Sequence, residues 1–334
     1  MPGRRGRRIV GTVMALVALA ACSSAGDSAG DSVRGSVGGS SSPAPGAPAE
    51  LPTARTEVAG AVWQGRIVVV GGLTEAGVAS ARADVYDPAA NRWEPVPALP
   101  LGLHHFGLAA LGDRVYLAGG YHNPTPAASW EPQSRVLSLG PDETVWREES
   151  PLAGPRGGLA LVAVEGRLVA IGGTGSEGIV RRVEILTPGA VGGWSPGPDL
   201  TEPRDHVAAT ASGGRAYAIA GRQGSLESNL ATVESWDPGG GDGWRPEPRL
   251  NDTRGGTSAA EASGRPCVAG GEEPRGTIAS VECLVDGRWA RVATLGVPRH
   301  GLAVVGLGAT LHVIGGGPQP GLFVSPAHEA FTIA

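Results

Sequence analysis

The stretch RIVVVGG, residues 66–72, is an apolar run closed by two glycines, and variants of it return five times: RVYLAGG at 114–120, RLVAIGG at 167–173, RAYAIAG at 215–221, RPCVAGG at 265–271 and TLHVIGG at 310–316. Apolar residues at consecutive positions fit a strand buried on both faces. Each run is preceded by a short glycine-bearing turn, such as QGR at 64–66 or EGR at 165–167, and by a strand of small residues, such as VAGAV at 58–62 or VAATA at 207–211. That is the pattern of a β-hairpin, with glycine supplying the positive φ of a tight turn. The small residues suit an innermost strand crowded about an axis. The glycine pair itself is read as room for backbone to pass close beneath a neighbouring aromatic.

Successive pairs lie 48, 53, 48, 50 and 45 residues apart, a period that belongs to propeller blades. Sixteen residues before each pair stand Arg55, Leu103, Arg156, Arg204, Arg254 and Arg299, and a tryptophan follows the pair in five copies: Trp93, Trp146, Trp194, Trp244 and Trp289. Between pair and tryptophan runs an acidic-apolar strand, as in ADVYDP at 83–88 or VESWDP at 233–238. Blade two lacks the acid, Ala220 replaces the first glycine of copy four, and the sixth copy has no tryptophan.

This combination resembles the kelch repeat. The resemblance covers residues 45–334 and implies an all-β fold, a six-bladed kelch-type β-propeller of four-stranded antiparallel sheets. The chain stops after only three strands of the sixth repeat, so residues near 45–51 are expected to supply its outer strand and close the ring, which otherwise leaves open sheet edges.

The N-terminus has a separate logic. Four arginines precede a 13-residue apolar run, Ile9 to Ala21, too short to span a bilayer and suited to export. The run ends in LAAC, residues 19–22, which resembles the bacterial lipobox. The resemblance implies that residues 1–21 are a signal peptide and that Cys22 is the lipidated mature N-terminus, holding the protein on the outer side of the cytoplasmic membrane. Residues 22–44, rich in Ser, Gly and Pro, read as a flexible tether.

All 27 basic residues are arginine, and without the four in the leader 23 face 32 acids, a net charge of −9. That disfavours nucleic acid as a partner. After export Cys267 and Cys283, on neighbouring strands of blade five, are placed either for a disulfide or as two separate buried thiols.

In a propeller the loops before first strands and after second strands gather at one channel mouth. Arg55, Arg156, Arg204, Arg254 and Arg299 begin the first strands, with His104, His105, His206 and His300 close behind. Tyr121, His122, Asn123, Glu177, Arg222, Gln223, Glu272, Glu273 and Arg275 follow the glycine pairs. A ring of guanidinium forks suits an anionic ligand, an acidic protein segment or an acidic glycan; alternatively each arginine pairs with an acid of an adjacent blade. No metal site is expected, because the histidines occupy two different repeat offsets. No cofactor is expected either, and a monomer is. Kelch-like propellers include copper-radical sugar oxidases, whose cofactor needs a cysteine crosslinked to tyrosine; Cys267 and Cys283 lie on blade strands, which excludes that chemistry. There is also a fold-level likeness to exported sialic acid mutarotases. The sequence thus points first to a lipid-anchored recognition scaffold for an anionic ligand, and second to an exported sugar epimerase with histidines as proton carriers.

Overall fold

In a computed structural model, which describes residues 46–241 and 243–334, the fold is all-β, of the kelch-propeller type. The expected signal peptide, Cys22 and the expected tether lie outside the described residues. Strand residues Ala59–Trp63, Arg66–Val70, Ala83–Asp87 and Arg92–Val96 form a four-stranded antiparallel sheet in chain order. The same order recurs in sheets whose first strands are Gly107–Leu111, Ala160–Val164, Ala208–Ser212 and Ser258–Ala262, while the last sheet has three strands, Ala303–Leu307, Thr310–Ile314 and His328–Thr332. The first strands pack side by side in sequence, and the first packs on the last, which makes a ring around a central channel. Among the described residues no helix is long and apolar enough to cross a membrane.

The second strands carry the core: Ile67, Val68, Val69 and Val70 are wholly buried, as are Leu168 through Ile171. Six apolar clusters lie between successive sheets, and the one holding Leu51, Val58, Ile67, Tyr86, Ala303 and Ile314 joins the first blade to the last.

The glycine pair works differently from the sequence expectation. Both residues have positive φ, 61° and 94° at Gly71 and Gly72. A Cβ on Gly172 or Gly270 would stand 2.5 or 2.4 Å from the backbone carbonyl of Arg204 or Arg299 in the next connecting segment. The amide of the second glycine donates to that same carbonyl: Gly173 N to Arg204 O at 3.0 Å, Gly271 N to Arg299 O at 2.9 Å, and, closing the ring, Gly316 N to Arg55 O at 2.8 Å. The close neighbour required by the repeat is therefore backbone; at Gly71 the ring of Phe106 also approaches. Ala220 adopts the same left-handed conformation at φ 57°.

The N-terminal segment closes the ring as an extended stretch with no regular strand. Leu51 N donates to Pro326 O of the last blade at 2.8 Å, matching the bonds of Leu99, Leu152, Leu200, Leu250 and Leu295 at the equivalent place in the other blades. Ala49 O accepts from Trp93 Nε1 at 2.8 Å and lies 2.9 Å from His328 Nδ1. Within the described part of this segment, Pro48 and Pro52 offer no amide hydrogens to a longer ladder.

Cys267 and Cys283 are direct cross-strand partners, wholly buried, and joined by a disulfide.

Candidate functional site at the channel mouth

The five arginines are not a ligand surface. Each has 0% or 1% of its surface exposed, and each lays its guanidinium along its own blade. Arg55 donates to Gly71 O at 2.8 Å and pairs with Asp84 at 2.7 Å; Arg204 pairs with Glu234 at 2.6 Å and Arg299 with Glu329 at 2.7 Å. Arg156 and Arg254 pair with Glu184 and Glu282 in the same way. The acids belong to the third strand of the same blade, not to an adjacent one. Burial pushes Arg55 down to about 10, with Asp84 acting against it. Blade two explains itself by this geometry: Leu103 stands in the arginine position, and Leu137, paired with Leu117 as Asp84 is with Val69, stands in the acid position. Both leucines are wholly buried in one cluster. A buried ion pair has been exchanged for two packed apolar side chains, a replacement that buried pairs tolerate well.

Two positions beyond each anchor the chain reaches the channel mouth, at Glu57, His105, Gly158, His206, Gly256 and Gly301. All six have positive φ, between 47° and 67°. Glycine adopts this backbone freely; a glutamate or histidine does so at a cost of about 1 kcal/mol or more. The three glycines also make room: a Cβ on Gly301 would stand 2.6 Å from Glu57 Oε1, and one on Gly158 would be 3.4 Å from His206 Nδ1. Three blades thus contribute side chains and three contribute space.

Those side chains converge. Glu57 Oε2 lies 3.1 Å from His105 Nε2, and Glu57 Oε1 lies 3.2 Å from His300 Nδ1. The rings of His105 and His206 are 4.8 Å apart, and His104 Nδ1 lies 2.5 Å from His105 Nδ1. Glu57, His105 and His206 rim a channel cavity of about 110 Å³ whose walls include Val58, Phe106, Leu159 and Leu302. One position earlier stand Thr56, His104, Asp205 and His300, bridged to the residue after each glycine pair: His104 to Tyr121, Asp205 to Arg222, His300 to Gly317. Arg222 Nη1 donates to Glu272 Oε1 at 2.7 Å, and Thr174 Oγ1 donates to Asp205 Oδ2 at 2.7 Å. Tyr121 and the half-exposed Trp130 stack around His104 and His105 at ring separations of 4.6 to 5.9 Å.

The electrostatics follow from enclosure. Burial would raise the Glu57 carboxyl, but His105, His300 and His206 around it hold it well below the usual range. Asp205 is likewise held down, against its burial, by His206, Thr174 and Arg222. Burial pushes His104 down to about 4 and His105 well below its ordinary value, against the pull of Glu57. His300 goes the other way: burial lowers it, but bonding to Glu57 and the charge of Glu272 raise it on balance. Burial and the nearby Asp205 lift Tyr121 to about 12.

Of the sequence candidates, His104, His105, His206 and His300 meet here, with Tyr121, Arg222 and Glu272. Others do different work. His122 and Asn123 tie loops to Gly102 O and Gly77 O, and Glu177 pairs with Arg182 at the surface. Glu57, Asp205 and Trp130 went unread. Glu57 had a signal, since it shares the repeat offset of His105 and His206. Among the described residues no three His, Cys, Asp or Glu side chains are placed to hold a metal ion.

The fold and its mouth define a kelch-type β-propeller with a polar site at one end of the channel. The Kelch motif matches residues 54–100. Human Kelch-like protein 34 is 34% identical over 134 residues, covering 39% of this chain and 20% of that protein. Human Kelch repeat and BTB domain-containing protein 13 is 33% identical over 39% of this chain and 28% of its own length. The F-box/kelch-repeat protein OR23 of Arabidopsis thaliana is 32% identical over 27% of this chain and 23% of its own. The chain therefore spans only 20% to 28% of the length of these relatives. A solved structure titled "Structure of YjhT" superposes with a TM-score of 0.75 over 86% of this chain and 97% of that one, at 16% identity, a likeness of fold.

Proposed function

We propose that the channel mouth is an acid–base site for a small hydroxyl-rich ligand, a carbohydrate, on an exported protein held to the membrane by lipid on Cys22. The observation that carries this reading is the convergence of Glu57, His105 and His206 from left-handed backbone that the other three blades give to glycine; strain of that kind gathers at functional sites. The chemistry fits the opening and reclosing of a sugar ring. One group takes the proton of the anomeric hydroxyl while another gives a proton to the ring oxygen, the bond from anomeric carbon to ring oxygen breaks, and reclosure on the opposite face reverses both transfers. Glu57, already ionised, suits the first task, and a protonated histidine beside it suits the second.

The experiment is exchange NMR of a panel of aldoses, reading anomer interconversion with and without protein. Glu57→Gln should lower an accelerated rate by about 100-fold or more; no acceleration of any aldose overturns the reading. Anchoring is tested separately: Cys22→Ser should move the protein from the membrane to the soluble fraction. The chain enters the propeller beside Asn91, whose side chain donates to Ala47 O at 3.0 Å, in a turn at the face opposite the site. A second reading, capture of a protein loop on the same face, has the kelch relatives in its favour and predicts binding without turnover.

A further inference from the structure

Two imidazoles flank Glu57, one on each carboxylate oxygen, and their surroundings differ. His300, only 2% exposed, is bridged through its backbone to Gly317. Its Nε2 lies 2.9 Å from the carbonyl oxygen of Gln319. Gly317 keeps that path open, since a Cβ there would stand 2.8 Å from Nε2. On the other side of the ring Nδ1 lies 3.2 Å from Glu57 Oε1 and 3.7 Å from Glu272 Oε2. Carbonyl and carboxylate oxygens only accept. A neutral ring, with hydrogen on one nitrogen, must therefore turn a bare lone pair either on Gln319 O or on two carboxylates; a hydrogen on both nitrogens removes the conflict.

His105 has no such conflict. Its Nε2 lies 3.1 Å from Glu57 Oε2, and its Nδ1 lies 2.5 Å from His104 Nδ1, a nitrogen that can donate to it. One hydrogen, on Nε2, satisfies both neighbours. A charge on His105 has only Glu57 in its favour and has His206, His104 and Arg222 against it. The remaining charged groups nearby are matched: Glu272 Oε1 receives Arg222 at 2.7 Å, and Asp205 Oδ1 lies 3.2 Å from His206 Nδ1. Glu57, His105 and His206 line the channel cavity, and His300 is not part of that wall.

We propose that His300 is a standing imidazolium, a positioning residue that keeps its charge behind Glu57 and holds that carboxylate ionised towards the cavity, while His105 on the other oxygen is neutral. The role rests on the acid–base reading above; the charge state rests on the contacts alone. A nearby positive charge favours the ionised carboxyl, which burial would otherwise disfavour. A histidine that keeps both hydrogens does not give one to a ligand. The proton-giving task then falls to His206, the other histidine of the cavity wall.

The test is NMR of the full chain carrying nitrogen-labelled histidine, at about pH 7, above the ordinary histidine value of about 6.5. Both ring nitrogens of His300 should carry hydrogen, and only one of the two in His105. A bare nitrogen on His300 overturns the proposal, whatever the protein does to sugars. The carboxyl resonance of Glu57 gives a second measurement. His300→Gln, which keeps a donor for Gln319 O but no charge, should raise the titration midpoint of Glu57 by about one pH unit or more, and by more than His105→Gln does. A larger shift from His105→Gln places the charge on His105 and overturns the assignment. Where an aldose is turned over, the rate falls as Glu57 takes up a proton, so the acid limb of the rate profile should move to higher pH in His300→Gln by the same amount. A limb that stays in place overturns the positioning role. Two hydrogens on His300 without turnover of any aldose uphold the charge assignment and overturn the carbohydrate reading alone.

Discussion

Two positions on the same connecting segment, two residues apart, behave as opposites. The anchor position holds arginine in five blades, and each is buried, ion-paired and bonded to the backbone of its own blade. The mouth position holds Glu57, His105, His206 and three glycines, and its side chains meet one another across blades, Glu57 with His105 at 3.1 Å and His105 with His206 in ring contact. What a repeat conserves within one chain is what every blade needs for packing. What one ligand needs is a different group from each direction around the axis. In a ring-shaped protein the place to look for function is therefore the register position where the repeats disagree.

The largest effect that tests this contrast is at the anchors. Arg254→Leu strands Glu282 without its charge partner and should lower stability by about 3–5 kcal/mol, read by denaturant unfolding. The double variant Arg254→Leu with Glu282→Leu imitates blade two and should recover most of that loss. If the double variant is as unstable as the single one, Leu103 and Leu137 are not a substitute for the ion pair. Reduction of the disulfide between Cys267 and Cys283, which encloses a loop of separation 16, should cost about 3 kcal/mol, visible as a lower melting temperature in reductant.

A pair of histidines sharpens the comparison at a third place. His312 Nδ1 lies 2.9 Å from His328 Nε2, and His328 Nδ1 lies 2.9 Å from Ala49 O, at the junction of the N-terminal segment with the last blade. Burial, with His312 and Arg299 adding to it, depresses His328 to about 4 in the folded protein. A histidine with a lowered folded-state value stabilises above the unfolded value of about 6.5, and the contribution fades as pH falls from there towards 4. Unfolding midpoints should drop through that window, and His328→Gln should flatten the slope; an unchanged slope would show that the junction does not sense acid. Smallest is His206→Gly. It relieves a left-handed histidine and should raise stability by about 1 kcal/mol while abolishing acceleration at the mouth. Loss of stability instead would place His206 among the structural residues.

The six repeats, the blade period, the order of strands and the ring-closing role of the N-terminal segment were legible because each is enforced locally. Gly72 and its counterparts must accept a positive φ, and Val68 and Val69 must be apolar on both faces of a sheet. The cross-strand placement of Cys267 and Cys283 followed from the same register. The fate of the arginines did not, because a guanidinium at a strand start reads identically whether it faces solvent or turns back to a carboxylate 28 to 30 residues later. Of the mouth cluster, the histidines, Tyr121, Arg222 and Glu272 were legible from their repeat offsets, but the contacts of Glu57 were not, since Glu57 and His300 stand at opposite ends of the propeller sequence and meet only when the ring closes. Sequence decided what repeats, through backbone conformation and burial that act within a blade. Tertiary structure alone decided which exceptions face one another, because contact across an axis depends on all six blades at once.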